Sequence, residues 1–328
     1  MVKSYLKSLV LTKRDITLFG ASLALVLLLF YNANVSDVIS ILSRANMLFV
    51  LAATGFSFTV VGLRLIRWQV FLDAYKLKMG KFDGVSSYLA SLFLANLTPG
   101  RFGDVSRSYF IKKRSRAPFF YVLPAVIVER FIDAAVLLFI AVLFSLAFSL
   151  YVPTLLRAML ILTGLILSFV LVVLSKKEFA VKSSTHLLRM FSFIRTVKEL
   201  RPKVNKLITN FYMGMAKLKS IKSFQIVFLT FLCFAFEGGI LYFSVLALSS
   251  SGLSYIFAIG IVSLAILGGI LSTLPGGIGS MEAIIFALLV VAGFESSIAL
   301  SIALLYRFAS YAVIVPFCSI FFFRETRH

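Results

Sequence analysis

Two stretches decide the fold: Asn96-Leu97-Thr98-Pro99-Gly100-Arg101-Phe102-Gly103-Asp104 and Ser272-Thr273-Leu274-Pro275-Gly276-Gly277-Ile278-Gly279-Ser280. Pro, Gly and Gly recur in register, 176 residues apart. Each stretch interrupts apolar sequence that is a poor simple span. Residues 85–97 lead into the first. Residues 255–274 lead into the second, and a short apolar segment, 281–292, follows it. A hydrocarbon core about 30 Å thick needs about 20 helical residues. Short arms broken by Pro and Gly therefore read as re-entrant hairpins. Non-helical backbone at that depth is tolerated only inside protein or beside a cavity.

A second match lies downstream. Glu129-Arg130-Phe131-Ile132-Asp133-Ala134-Ala135-Val136 aligns with Tyr306-Arg307-Phe308-Ala309-Ser310-Tyr311-Ala312-Val313, sharing Arg-Phe and Ala-Val at an offset of 177. Two matches at nearly one interval indicate an internal duplication, each copy comprising a span, a hairpin and a second span, over about 47–152 and 224–323.

The remaining sequence is that of a membrane protein. The chain has 328 residues, of which 60% are hydrophobic and 14% charged, with mean hydropathy +1.01. A soluble domain is nearer half apolar and a quarter charged, and disorder requires low hydrophobicity. Six longer apolar runs read as full spans: 16–31, 47–72, 118–152, 155–174, 224–248 and 297–323. The net charge of +20 follows membrane topology rather than nucleic acid. Four Lys or Arg lie in 1–15, nine in 76–116, twelve in 175–222 and two in 324–328, whereas the opposite loops hold only Arg44 and Arg157. By the positive-inside rule both termini and the basic loops are cytoplasmic, in the plasma membrane. The first hairpin then has basic, cytoplasmic flanks at both ends, and the second enters from outside, so the repeats are inverted. The expected architecture is an all-α polytopic membrane protein with about six full spans and two re-entrant hairpins. Its parts are a cytoplasmic N-terminus at 1–15, one transmembrane domain at 16–323 and a cytoplasmic tail at 324–328. Inverted repeats with broken helices mark alternating-access transporters with a midplane site.

The turns supply the candidate site. A helix that restarts after Pro and Gly presents free N–H groups and the positive end of its dipole, which favour an anion. The candidates are Pro99, Gly100, Arg101, Gly103 and Asp104 in the first turn, and Pro275, Gly276, Gly277, Gly279, Ser280 and Glu282 in the second. Asp104 and Ser280 read as N-caps. Charges inside apolar runs must face protein or water. Glu129, Arg130, Asp133 and Arg307 join the candidates on that ground, with the arginines offered to a phosphate and Glu282 or Glu237 as the partner of Arg307. Arg64 and Arg67 read as snorkelling residues and Trp68 as an interfacial anchor. Residues 204–218 form an amphipathic stretch that reads as a solvated connection or a dock for anionic headgroups.

Cys233 and Cys318 lie in apolar runs and read as inert thiols. His186 and His328 lack acidic or Cys neighbours at ligand spacing. No Walker loop, dinucleotide fingerprint or nucleophile elbow is present, so no cofactor or metal is expected. A transferase using Glu129, Asp133 or Glu282 as base is disfavoured by the lack of a membrane histidine, and the expectation is that the protein is not an enzyme.

Taken together, Arg-Leu-Ile-Arg-Trp at 64–68, the motif at 96–104, Glu-Arg-Phe-Ile-Asp at 129–133 and Leu-Pro-Gly-Gly-Ile-Gly-Ser-Met-Glu at 274–282 resemble the lysylphosphatidylglycerol synthase transmembrane-region, or flippase-like, family. The resemblance spans about 16–323. It implies movement of an anionic phospholipid or polyprenyl-phosphate-linked headgroup between leaflets. The alternative is a membrane anchor for a separate glycosyltransferase or lipid synthase, held through loop 175–222, which is the longest polar segment and too short for either domain.

Overall fold

A computed structural model describes Thr17, Gly20, Ala24 and Leu27, then residues 34–77, 79–98, 101–115, 117–151, 153–154, 157–158, 160–165, 209, 212, 220–249 and 252–327. Most of the runs 16–31 and 155–174, most of the loop 175–222, and Pro99 and Gly100 lie outside the described residues.

The described residues form helices: α1 Val35–Ser43, α2 Met47–Ala74, α3 Lys81–Leu97, α4 Ser106–Ser115, α5 Phe119–Ala147, α6 Ser220–Leu248, α7 Tyr255–Leu271, α8 Ser280–Val291, α9 Ser296–Arg307 and α10 Ile314–Arg327. A 3₁₀ turn, Phe102–Val105, precedes α4, and a π turn, Phe308–Ala312, joins α9 to α10. Local chemistry sets several starts. Asn34 accepts the Ser36 N–H, Asn46 the Leu48 N–H and Ser254 the Phe257 N–H, each filling one of the orphan donors of a first turn.

α2, at 28 residues, is about 42 Å long at 1.5 Å per residue. Met47–Ala74, Lys222–Leu248 and Ser296–Arg327 are long and apolar enough to cross a membrane. The 29-residue α5 has the length as well, with Glu129, Arg130 and Asp133 along it. Large apolar side chains cover the outside: Leu48 is 71% exposed, Leu146 73% and Phe224 71%. Such a surface belongs in lipid. The protein is an all-α integral membrane protein.

The duplication is visible in the elements. α3 and α7 each have 17 residues, followed by a turn and the shorter helices α4 and α8. Packing is reciprocal. α2 packs most extensively on α6. The hairpin arm α3 lies on α10 of the other half, and the arm α7 lies on α5. Exchange of partners between halves is what a two-fold relation produces. Two cores result. One gathers Val136–Phe144 side chains of α5 with α6, α7, α8 and α9; the other gathers α2, α3 and the first half of α5 with Ile111, Ile226, Ile314 and Cys318.

Three boundaries differ from the sequence expectation. α3 starts at Lys81, because its first turn, Lys81-Phe82-Asp83-Gly84, extends the helix ahead of the apolar segment. The last span is broken by the π turn after Arg307. Residues 324–327 continue α10 as helix, with Glu325 1% exposed and Arg324 and Arg327 exposed. Glu325 accepts from Ser86 Oγ at 2.6 Å and pairs with Arg114 at 3.4 Å, pinning α10 to the first hairpin. α1 escaped the sequence reading; it packs Val38 against Leu300 of α9.

Gly103 sits against the α3 backbone, where a Cβ would overlap the Leu94 carbonyl carbon and the Ala95 nitrogen. Gly103→Ala should lower stability by at least about 1–3 kcal/mol. Gly55→Ala, whose Cβ meets nothing within 4 Å, should be neutral. Thermal unfolding in detergent micelles reads the difference, and equal midpoints would contradict the packing.

Candidate functional site

The two turns meet. Gly276, at φ +59°, lies where an added Cβ would stand 2.8 Å from the Asn96 carbonyl oxygen, so both its conformation and its neighbour require glycine. Beside this junction is a cleft of about 70 Å³. Arg101 and Asn96 line it from the first hairpin, Gly276, Gly277 and Met281 from the second, Arg64 from α2, Glu237 from α6, and Tyr306, Ser310 and Tyr311 from α9 and the π turn. Val60, Leu92, Ile240, Ile266, Leu274 and Ile314 supply apolar walls, so helices of both halves build one recess of mixed character, with its charged side chains set among aliphatic ones.

Besides Glu325 with Arg114, the buried charges among the described residues fall into three groups around the turns. The first is a cluster of Arg67, Arg107 and Arg130 with Asp104, Glu129 and Asp133. Arg67 donates to Glu129 at 2.7 Å, to Asp133 at 2.5 Å and to Thr230 at 2.7 Å. Arg107 donates to Glu129 and, at 3.1 Å, to Asp104, and its guanidinium is sandwiched 4.3 Å from the Trp68 ring and 4.1 Å from Tyr88. Arg130 lies 3.2 Å from Asp133 and 3.6 Å from both Asp104 and Glu129. Three cations meet three anions, so the cluster is neutral.

The second group is Arg307 with Glu282 at 2.6 Å. Arg307 also donates to the Gly276 carbonyl at 3.0 Å and stacks 3.9 Å from the Tyr311 ring. The third is Arg64 with Glu237 at 2.7 Å, the carboxylate also accepting from the Tyr306 hydroxyl at 3.4 Å.

Arg101 belongs to none of these. Among the described residues it makes no ion pair, and its Nε is buried without a hydrogen-bond partner. It is held at φ +58°, ψ +27°, a left-handed conformation that costs a non-glycine residue about 1 kcal/mol or more.

The sequence-predicted candidates are therefore divided. Arg101, Gly276 and Gly277 line the cleft. Asp104, Glu129, Arg130 and Asp133 form the neutral cluster. Glu282 and Arg307 pair beside the second turn, as the alternative between Glu282 and Glu237 had allowed. Pro275 is buried in that turn.

Four expectations are corrected. Arg67 is 1% exposed and Trp68 0%; neither lies at an interface, because Arg67 is drawn inward by two carboxylates and Trp68 covers Arg107. Asp104 sits within the 3₁₀ turn and serves Arg107 rather than capping a helix. The N-cap of α8 is Gly279, not Ser280, whose hydroxyl donates to the Gly277 carbonyl. The free N–H groups expected at the turns are partly taken: the Glu282 carboxylate accepts from Gly279 N–H at 2.8 Å, and Thr98 Oγ1 accepts from Gly103 N–H at 2.7 Å. Arg107, counted in the sequence as a loop charge, is fully buried. Its i,i+3 spacing from Asp104 was the available signal. The amphipathic stretch 204–218 falls almost wholly outside the described residues.

A family profile described as the lysylphosphatidylglycerol synthase TM region matches residues 9–318. A UPF0104 membrane protein of Pyrococcus horikoshii is 26% identical over 307 residues, covering 88% of this chain and 90% of the relative. One from Methanocaldococcus jannaschii is 24% identical over 314 residues, covering 92% and 91%. A third, from Methanothermobacter thermautotrophicus, is 24% identical over 288 residues, covering 83% and 84%. The chain belongs to the lysylphosphatidylglycerol synthase transmembrane-region family.

Glu129 is 0% exposed and faces three arginines, Arg67 and Arg107 most closely. Glu129→Gln should destabilise by about 3–5 kcal/mol, the cost of leaving buried charge uncompensated. Arg130→Gln, at a side chain 30% exposed, should cost less. Chemical denaturation in micelles compares them; the reverse order would contradict the cluster.

Proposed function

We propose that the protein moves an anionic lipid headgroup between leaflets, holding the headgroup in the cleft where the two hairpin turns meet while the tails stay in lipid. One observation supports this above the others: Arg101, at the turn junction, has no carboxylate partner among the described residues and lines a recess shared by both halves. An arginine offers a planar fork to phosphate oxygens. The neighbouring arginines already have carboxylate partners and hold helices together, so Arg101 is the group that gains most from an incoming anion. Arg64 faces the same recess and completes a second side of it.

The duplicated halves fit alternating access. A site on the boundary between two similar, reciprocally packed halves is exposed to one side or the other when they rock. The distribution of basic segments supports cytoplasmic termini by the positive-inside rule, an orientation in which the repeats are inverted. The lipid is a phospholipid or a polyprenyl-phosphate-linked carrier.

The test is reconstitution into liposomes containing fluorescent phosphatidylglycerol, with dithionite quenching as the readout. Wild type should translocate the label well above protein-free vesicles. Arg101→Ala should reduce the rate by about 10-fold or more, the loss of one to two charge-assisted hydrogen bonds, while its unfolding midpoint stays near wild type. A wild-type rate equal to that of empty vesicles, or an unaffected Arg101→Ala, would contradict the assignment.

A further inference from the structure

The charge balance of the cleft carries a statement about the valence of its ligand, resting on the headgroup reading above. Three ionic side chains line the recess: Arg64, Arg101 and Glu237. The flanking groups cancel within themselves, since the Arg67 cluster pairs three arginines with three carboxylates and Arg307 pairs with Glu282. The local sum is one positive charge. We propose that the cleft selects a singly charged phosphodiester headgroup over a doubly charged phosphomonoester.

The physical reason is desolvation. In a bundle surrounded by hydrocarbon, an uncompensated charge is penalised by several kcal/mol, so the favoured ligand brings the sum to zero. A phosphodiester carries one negative charge and does so. A phosphomonoester, with its second pKa near 6, carries close to two at pH 8 and leaves one negative charge facing the Glu237 carboxylate. Glu237 therefore rejects the wrong ligand by repulsion while it orients Arg64, a repulsive element of the kind that specificity often requires. The charged and titratable groups around Glu237 are Arg64 on α2, Tyr306 on α9, and Cys233 one turn away on α6 itself. Among these, Arg64 alone is cationic, and it is shared with the ligand.

Dihexanoyl phosphatidylglycerol and dihexanoyl phosphatidic acid have the same tails and differ in headgroup charge. Each is titrated calorimetrically into the purified full chain in micelles at pH 8. Wild type should bind the phosphatidylglycerol about 10-fold tighter or more. Glu237→Gln raises the sum to two positive charges and should shift the preference toward phosphatidic acid by about 10-fold or more, whereas Glu237→Asp should retain the wild-type order. The wild-type protein provides a mutation-free arm: lowering the pH to 5.5 converts phosphatidic acid largely to its singly charged form and should narrow the gap. Equal affinities at pH 8, or a ratio unmoved by both Glu237→Gln and pH, would overturn the charge filter and leave headgroup binding standing. Binding of neither lipid would overturn both.

Discussion

A guanidinium in the interior of a hydrocarbon-embedded bundle must be cancelled by a nearby carboxylate or be solvated, because neither lipid nor apolar side chains stabilise it. This constraint organises the molecule. Arg67 and Arg107 bring α2 and α4 onto Glu129 of α5. Asp104 closes the same cluster from the first turn, and Thr230 ties α6 to it. Arg307 and Glu282 hold the second turn against α9. Each ion pair lies at a junction between elements that apolar packing alone leaves free to slide. The exception, Arg101, stands at the point where the two turns touch.

The halves are alike in outline and unlike in charge. Arg130 and Arg307 occupy corresponding positions, yet the first faces three carboxylates and the second one. The π turn follows Arg307, whereas α5 runs on without a break past Arg130. π turns concentrate at functional sites, and this one sends Ser310 and Tyr311 toward the cleft. Arg64 and Glu237 pair across α2 and α6, the two helices that pack most extensively across the boundary. Their bridge joins the two halves.

Much of this was legible in the chain. Pro and Gly at matched intervals located both hairpins, and the Arg-Phe repeat located the second half, because the residues that break helices or carry buried charge are rare in apolar sequence. Pairing was less legible. Arg67 lies among apolar residues near a helix end, where hydropathy predicts snorkelling. Only the tertiary approach of α5 reveals two carboxylates waiting for it. Arg107 sits in a run of basic residues, and only its i,i+3 spacing from Asp104 separates it from Lys112 and Lys113, which remain outside the cluster. The N-terminus of α8 was misjudged for a related reason: Glu282 reaches back to Gly279, so the site that helix dipoles offer to a ligand is already filled by the chain's own carboxylate. Arg101 stands apart only once the other arginines around the turns have been paired with carboxylates among the described residues.

The central claim is that the uncancelled guanidinium at the junction of the turns receives a phosphate. Electron cryomicroscopy of the full chain in nanodiscs containing phosphatidylglycerol tests it directly. The account predicts headgroup density between the two turns, with a phosphate in contact with Arg101 and close to Arg64. Turns standing apart, or a cleft closed by apolar side chains with lipid density only on the outer surface, would contradict it.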